Sequence, residues 1–215
     1  LSGLLEPFPA APPRSATALP PHAPGLRIGL LGGSFNPAHE GHRLASLTAL
    51  KRLGLDAVWW LATPGNPLKD NADLPALASR VQQARVVARH PAIKVTGVEA
   101  AFRTRHTART LRALIARCPG VRFVWLMGTD NLVQFHRWRD WRAIAALMPI
   151  GVIDRPGSTH SAARSRAATA LGRWRLDESD GLLLPTEPAP AWMLIHGPRS
   201  DASSTALREI RARQA

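Results

Sequence analysis

The sequence predicts an α/β fold: a Rossmann-like doubly wound parallel sheet with helices on both faces. Three observations predict it. Short, nearly continuous apolar runs alternate with segments whose leucines recur at helical spacing. Strands that lack a polar face must be buried on both sides, which is the condition of a parallel sheet covered by crossover helices. Finally, the loops richest in glycine and polar side chains all follow directly after predicted strands. They should line the carboxyl rim of the sheet, where ligands of such folds bind.

In chain order, Leu26 to Leu31 reads as the first strand. His39 to Leu53 carries Leu44, Leu47, Leu50 and Leu53 at helical spacing and stops near Gly54. Asp56 to Ala62 (DAVWWLA) is a strand entering the loop TPGNPLKD, Leu74 to His90 a helix ended by Pro91, and Ala92 to Val98 a third strand. Thr107 to Arg117 is helical, with Leu111, Leu114 and Ile115 on one face, and Val121 to Met127 is a fourth strand. GTDNL and a short helix follow, then a helix over Trp141 to Met148 and a strand over Ile150 to Asp154. The Arg-rich stretch up to Pro190 has no clear period. Ala191 to His196 and Ser203 to Arg213 read as a last strand and helix.

Two parts are expected: a disordered Pro/Ala-rich leader over 1–24, whose seven prolines break regular elements, and a single domain over 25–215. The net charge of +13 raises nucleic-acid binding as a reading. Against it, Lys51, Lys69 and Lys94 are the sole lysines, and the arginines are spread along the chain without forming a block. That pattern suits a G+C-rich coding bias and an anionic small-molecule substrate, so neither a nucleic-acid nor a membrane partner is expected. No apolar run reaches the length of a bilayer span. The lone Cys118 cannot form an internal disulfide, which fits a reducing, cytoplasmic setting.

The stretch GLLGGSFNPAHEGH, residues 29–42, concentrates the chemistry. A strand, a glycine turn and a helix start point backbone N–H groups and a helix N-terminus at an anion, usually a phosphate. Gly32, Gly33, Ser34 and Phe35 are expected to present those N–H groups to a triphosphate. His39 and His42, three apart, share one helix face. A zinc pair would be spaced i, i+4 with a third ligand in evidence, so no metal site is expected. Two surface histidines at a helix start are the bland alternative.

This stretch resembles the G-G-[ST]-F-[DN]-P-x-H-x-G-H signature of the nucleotidyltransferase superfamily. Four further stretches resemble the bacterial nicotinate mononucleotide adenylyltransferases: Thr63 to Lys69 (TPGNPLK), Thr107 to Leu111 (TARTL), Met127 to Trp138 (MGTDNLVQFHRW), and the pair RPG at 155–157 with SSTALR at 203–208. The chain departs from that family's pattern at Arg109, usually acidic, and at His106, often tyrosine.

The resemblance implies transfer of AMP from ATP to nicotinate mononucleotide, giving deamido-NAD and pyrophosphate, with Mg²⁺ arriving on ATP. It implies His39, His42 and Arg208 as catalytic residues. For ATP it adds Gly128, Asp130, Ser203, Ser204 and Thr205 to the glycine turn. Asn66, Lys69, Thr107, Trp138 and Arg139 are implied for the mononucleotide, with Trp138 stacking on the pyridine ring. Two alternatives stay open: a sister enzyme using nicotinamide mononucleotide or another phosphorylated acceptor, and a non-catalytic basic nucleotide- or nucleic-acid-binding module.

Overall fold

Strand β1 (Arg27–Gly33) is apolar on both sides, with Ile28 and Leu30 fully buried, and it occupies the middle of the sheet. Around it lie β2 (Ala57–Ala62), β3 (Ile93–Thr96), β4 (Arg122–Gly128), β5 (Ile150–Ile153) and β6 (Trp192–Ile195). All pairings are parallel, in the order β3-β2-β1-β4-β5-β6. That order reverses between β1 and β4, the arrangement of a doubly wound sheet. The computed structural model describes residues 12–65, 74–198, 200, 204, 205, 207, 208 and 213.

Helices cover both faces, as the apolar runs require. Helix α2 (Glu40–Arg52) and α3 (Leu77–Ala88) pack on one face, over Trp60, Val58 and Leu126. On the other, the short α4 (Val98–Ala101), α5 (Thr107–Arg117) and α7 (Trp141–Leu147) pack over Trp59, Phe123 and Trp125. Trp59 and Trp60 are adjacent in β2 and fully buried on opposite faces, because successive strand residues point opposite ways.

The expected leader is corrected over its second half. A single helical turn, α1 (Arg14–Thr17), buries Ala16 and Thr17 against the fold. Gly97 N–H donates to the Ala16 carbonyl and Thr96 Oγ1 to that of Ala18, both at 2.7 Å, and Arg85 donates to the Ser15 carbonyl at 2.8 Å. This segment takes polar groups at the end of edge strand β3, which pairs with β2 alone. Proline forbids helix and strand interiors, not packed irregular chain. Residues 1–11 lie outside the described part.

The unpatterned stretch after residue 155 is also ordered. It folds as two short helices, α8 (Thr159–Ala163) and α9 (Arg166–Ala170), and three 3-10 turns. Ala167, Leu171 and Leu184 anchor it, and Trp192 Nε1 donates to the Leu171 carbonyl at 2.9 Å. Among the described residues no helix is long and apolar enough to cross a membrane.

Candidate active site

The reversal between β1 and β4 opens a crevice beyond their carboxyl ends. Helix α2 starts just after β1, and α6 (Thr129–Gln134) just after β4. Gly32 and Gly33, expected to present N–H groups to a triphosphate, are the last residues of β1: Gly32 pairs with Leu61 and Gly33 with Ala62. A Cβ on Gly32 would stand 2.6 Å from Cη2 of Trp125, so this glycine makes room for an indole. Ser34 and Phe35 lead out of the strand into the turn at Asn36 and Pro37.

Phe35 has a left-handed backbone (φ 47°), and its ring turns inward to stack on Trp60, 5.0 Å between centroids and nearly coplanar. Only its backbone remains available to a ligand. The Phe35 ring also packs on His42 at 4.9 Å, and the His39 and His42 rings lie 3.9 Å apart. His39 is the N-cap of α2, in extended backbone, with His42 one turn on. The His39 N–H donates to His42 Nδ1 at 3.2 Å. A ring accepting at Nδ1 carries its proton on Nε2 when neutral. Burial, then the neighbouring His39 ring and the Arg155 guanidinium, push His42 down to about 3. Burial and Arg155 likewise push His39 down to about 4. Both rings are neutral hydrogen-bond donors at physiological pH.

Across the crevice, Arg155 follows β5. Its N–H donates to Thr129 Oγ1 at 3.0 Å, and its guanidinium stands 3.9 Å from the Asp130 carboxylate. A Cβ on Gly128 would press on the Asp130 carboxylate and on Arg155 Cδ, so both side chains would have to move aside for any other residue. The C-terminal segment docks on the same turn. Ser204 Oγ donates to the Pro37 carbonyl at 2.9 Å, and Arg208 donates to the Asn36 carbonyl at 2.6 Å and to Thr205 Oγ1 at 3.2 Å. Arg208 and Thr205 are exposed. The structure therefore brings Arg208, Ser204 and Thr205 to the histidine turn; Ser203 lies outside the described residues.

The second half of the crevice starts at α5. Thr107 is its first residue, half-buried, with exposed Arg139 close by. After burial, the charges of Arg139, Arg109 and Arg105 hold His106 below its ordinary value, partly opposed by Asp140. Positive potential thus gathers at a helix N-terminus. Trp138 is half-buried in T-shaped contact with Phe135 at 5.5 Å and Trp125 at 6.3 Å. The Trp125 indole thereby links Trp138 to the Gly32 backbone. Asn66 and Lys69 lie outside the described residues.

A cytidylyltransferase-like family profile matches residues 30–210. The chain belongs to that family. It is 57% identical over 183 residues to the probable nicotinate-nucleotide adenylyltransferase of Methylorubrum extorquens, covering 85% of this chain and 99% of the relative. It is 54% identical to the same-named protein of Rhizobium meliloti, covering 87% and 100%. Its fold is similar to that of Plasmodium falciparum nicotinic acid mononucleotide adenylyltransferase complexed with NaAD (TM-score 0.61, 18% identity, 86% of this chain and 83% of that one). The same enzyme complexed with APC gives a TM-score of 0.59 at 17% identity, covering 86% and 83%. This cytidylyltransferase-like chain is thus a nucleotidyltransferase, with the sheet expected from its sequence.

Three residues of the transferase carry roles that sequence reasoning missed. Trp60 floors the histidine pair, and its Nε1 donates to Ser46 Oγ, which itself donates to the His42 carbonyl. Arg80 sits buried beneath the turn, and Glu99 is buried beside Thr110. The Trp59-Trp60 pair gave a signal, since one of two adjacent strand residues must face α2. Arg80 and Glu99 gave none: a charged residue within a predicted helix reads as solvent-facing, and Glu99 falls in the unassigned stretch after the third predicted strand.

Proposed function

We propose that the chain transfers AMP from ATP to the 5′-phosphate of nicotinate mononucleotide, forming the deamido dinucleotide and releasing pyrophosphate. The observation that carries this reading is the neutral His39–His42 pair at the start of α2, in a chain more than half identical to proteins named for that activity.

A phosphate monoester has a second pKa of about 6 and is mostly a dianion at neutral pH. Its oxygen attacks the α-phosphorus of ATP as the bond to the bridging oxygen breaks, and pyrophosphate departs with that electron pair. No proton needs to be removed. A ring held at about 3 is a poor base, which suits His42 to donating Nε2–H as charge develops on the transferring phosphate. His39 donates beside it. Arg208, Arg155 and Ser204 would hold the leaving polyphosphate. Catalysis then consists of alignment and electrostatic stabilisation.

Mg²⁺ enters as part of the nucleotide substrate, which needs few protein ligands. Among the described residues no group of three or more His, Cys, Asp or Glu comes together. At the other end, Trp138 stacks on the pyridine ring, and N–H groups near Thr107 and Arg139 receive its carboxylate. The Arg105, Arg109 and Arg139 charges around His106 favour an acid over an amide. Asn66 and Lys69 complete the mononucleotide half.

The test is a coupled assay for pyrophosphate with ATP, Mg²⁺ and nicotinate mononucleotide, with the dinucleotide identified by mass. Release that depends on the mononucleotide is expected. ATP binding with no acceptor-dependent release would rule the reading out.

A further inference from the structure

Arg80 is a charged side chain that the mechanism above leaves unused, and it lies inside the fold. It sits in the first part of α3 and is 1% exposed. Each of its three nitrogens donates to a different carbonyl: Nε to Pro75 at 2.8 Å, Nη1 to Ser34 at 2.5 Å and Nη2 to Thr63 at 2.9 Å. Those carbonyls belong to the entry of α3, the turn after β1 and the end of β2. Thr63 is itself tied to β1, through its N–H and the Gly33 carbonyl at 3.0 Å.

No carboxylate is among these partners. A guanidinium buried without a counter-ion is costly, and three carbonyls offset that only in part. Burial lowers Arg80 to about 10, so it remains a cation at neutral pH.

The bond to Ser34 has a geometric consequence. The Ser34–Phe35 peptide is not among the cis bonds, so its C=O and N–H point in opposite directions. With the carbonyl held toward Arg80, the Phe35 N–H points away from it. That N–H has no acceptor among the described residues. It lies four residues before His39, on the turn that the proposed function gives to the triphosphate.

We propose that Arg80 is a positioning residue for the nucleotide triphosphate. Its fork fixes the Ser34–Phe35 peptide with the N–H outward as a phosphate donor, and its charge, which has no carboxylate partner among the described residues, adds attraction from below. The inference rests on the proposed function for the identity of the nucleotide.

The test compares full-length Arg80→Lys and Arg80→Met with the wild type. The affinities for a non-hydrolysable ATP analogue and for nicotinate mononucleotide are measured separately by calorimetry, beside kcat, both KM values and Tm. Loss of a charged hydrogen bond predicts that Arg80→Met binds the analogue about tenfold or more weakly, with mononucleotide affinity unchanged. Arg80→Lys, which keeps the charge but has one donor nitrogen, should regain part of that loss. If Arg80→Met does not fold, a raised KM for ATP with an unchanged KM for the mononucleotide in Arg80→Lys supports the same conclusion. Wild-type affinity for the analogue in a folded Arg80→Met, or equal weakening of both substrates, would overturn it. Wild-type protein that binds the analogue but releases no pyrophosphate would instead overturn the acceptor assignment, leaving the Arg80 readout intact.

Discussion

The backbone N–H of His39 donates to Nδ1 of His42 at 3.2 Å, and this bond decides which proton the inner ring can offer. The helix cap thereby sets the tautomer: local structure at the start of α2 aims Nε2–H away from its own backbone. Replacing His42 by Ala should lower turnover by about 10²–10³, the range for losing one transition-state donor, with far-UV circular dichroism unchanged. Near-normal turnover in a folded variant would contradict the role.

The protonation state gives a second prediction. Both folded pKa values, about 4 for His39 and about 3 for His42, lie below the ordinary value of 6.5. The unfolded chain therefore binds more protons than the native one below pH 6.5, and these rings make stability fall as pH drops through that window toward 3. In the ligand-free protein, ¹⁵N spectra should show both rings neutral from about pH 5 to 8, with His42 protonated at Nε2. A ring titrating near its ordinary value would refute the assignment.

Glu99 works in the opposite direction. Thr110 Oγ1 donates to its Oε1 at 3.1 Å, and burial outweighs the Thr63 and Thr110 hydroxyls to push the carboxyl up to about 7. The native state then holds a proton that the unfolded state loses near 4.5, so stability declines as pH rises from 4.5 to about 7 and levels off above it. The difference amounts to about 3 kcal/mol at most. Glu99→Gln should abolish that slope while keeping the fold, as read from urea midpoints at about pH 5 and pH 8. An unchanged slope would show that the carboxyl is already ionised at the lower pH.

Gly32 and Trp138 are joined through one indole. Because a Cβ on Gly32 would press on Trp125, and Trp125 packs on Trp138, Gly32→Ala should destabilise by about 1–3 kcal/mol through overpacking and also raise the KM for the mononucleotide. Trp138→Ala should raise that same KM with little effect on the fold. A change confined to the ATP constant would remove Trp138 from the pyridine site.

Much of this architecture was legible in the sequence because it follows from periodicity. Apolar runs such as Ile28 to Leu31 have no polar face, so a doubly covered parallel sheet was the consistent answer, and Thr107 to Arg117 was read with its observed bounds. The packed N-terminal segment was hidden because seven prolines exclude regular elements without saying whether irregular chain docks. Gly32 shows a similar limit: sequence shows that a Cβ is absent, not what fills the space, and the structure puts the Trp125 indole there. Arg80 was invisible because its partners are carbonyls at Ser34, Thr63 and Pro75, which any sequence supplies.

The central claim concerns which bond is made and to what. Pyrophosphate release from Mg·ATP, measured side by side with nicotinate and nicotinamide mononucleotides, tests it most directly. The account predicts release with both a 5′-phosphate acceptor and ATP present, and faster release with the acid, whose carboxylate would meet the Arg105, Arg109 and Arg139 charges around His106. Faster release with the amide would contradict the acceptor assignment. No release with either, together with tight and salt-sensitive binding of single-stranded nucleic acid, would contradict the reaction itself.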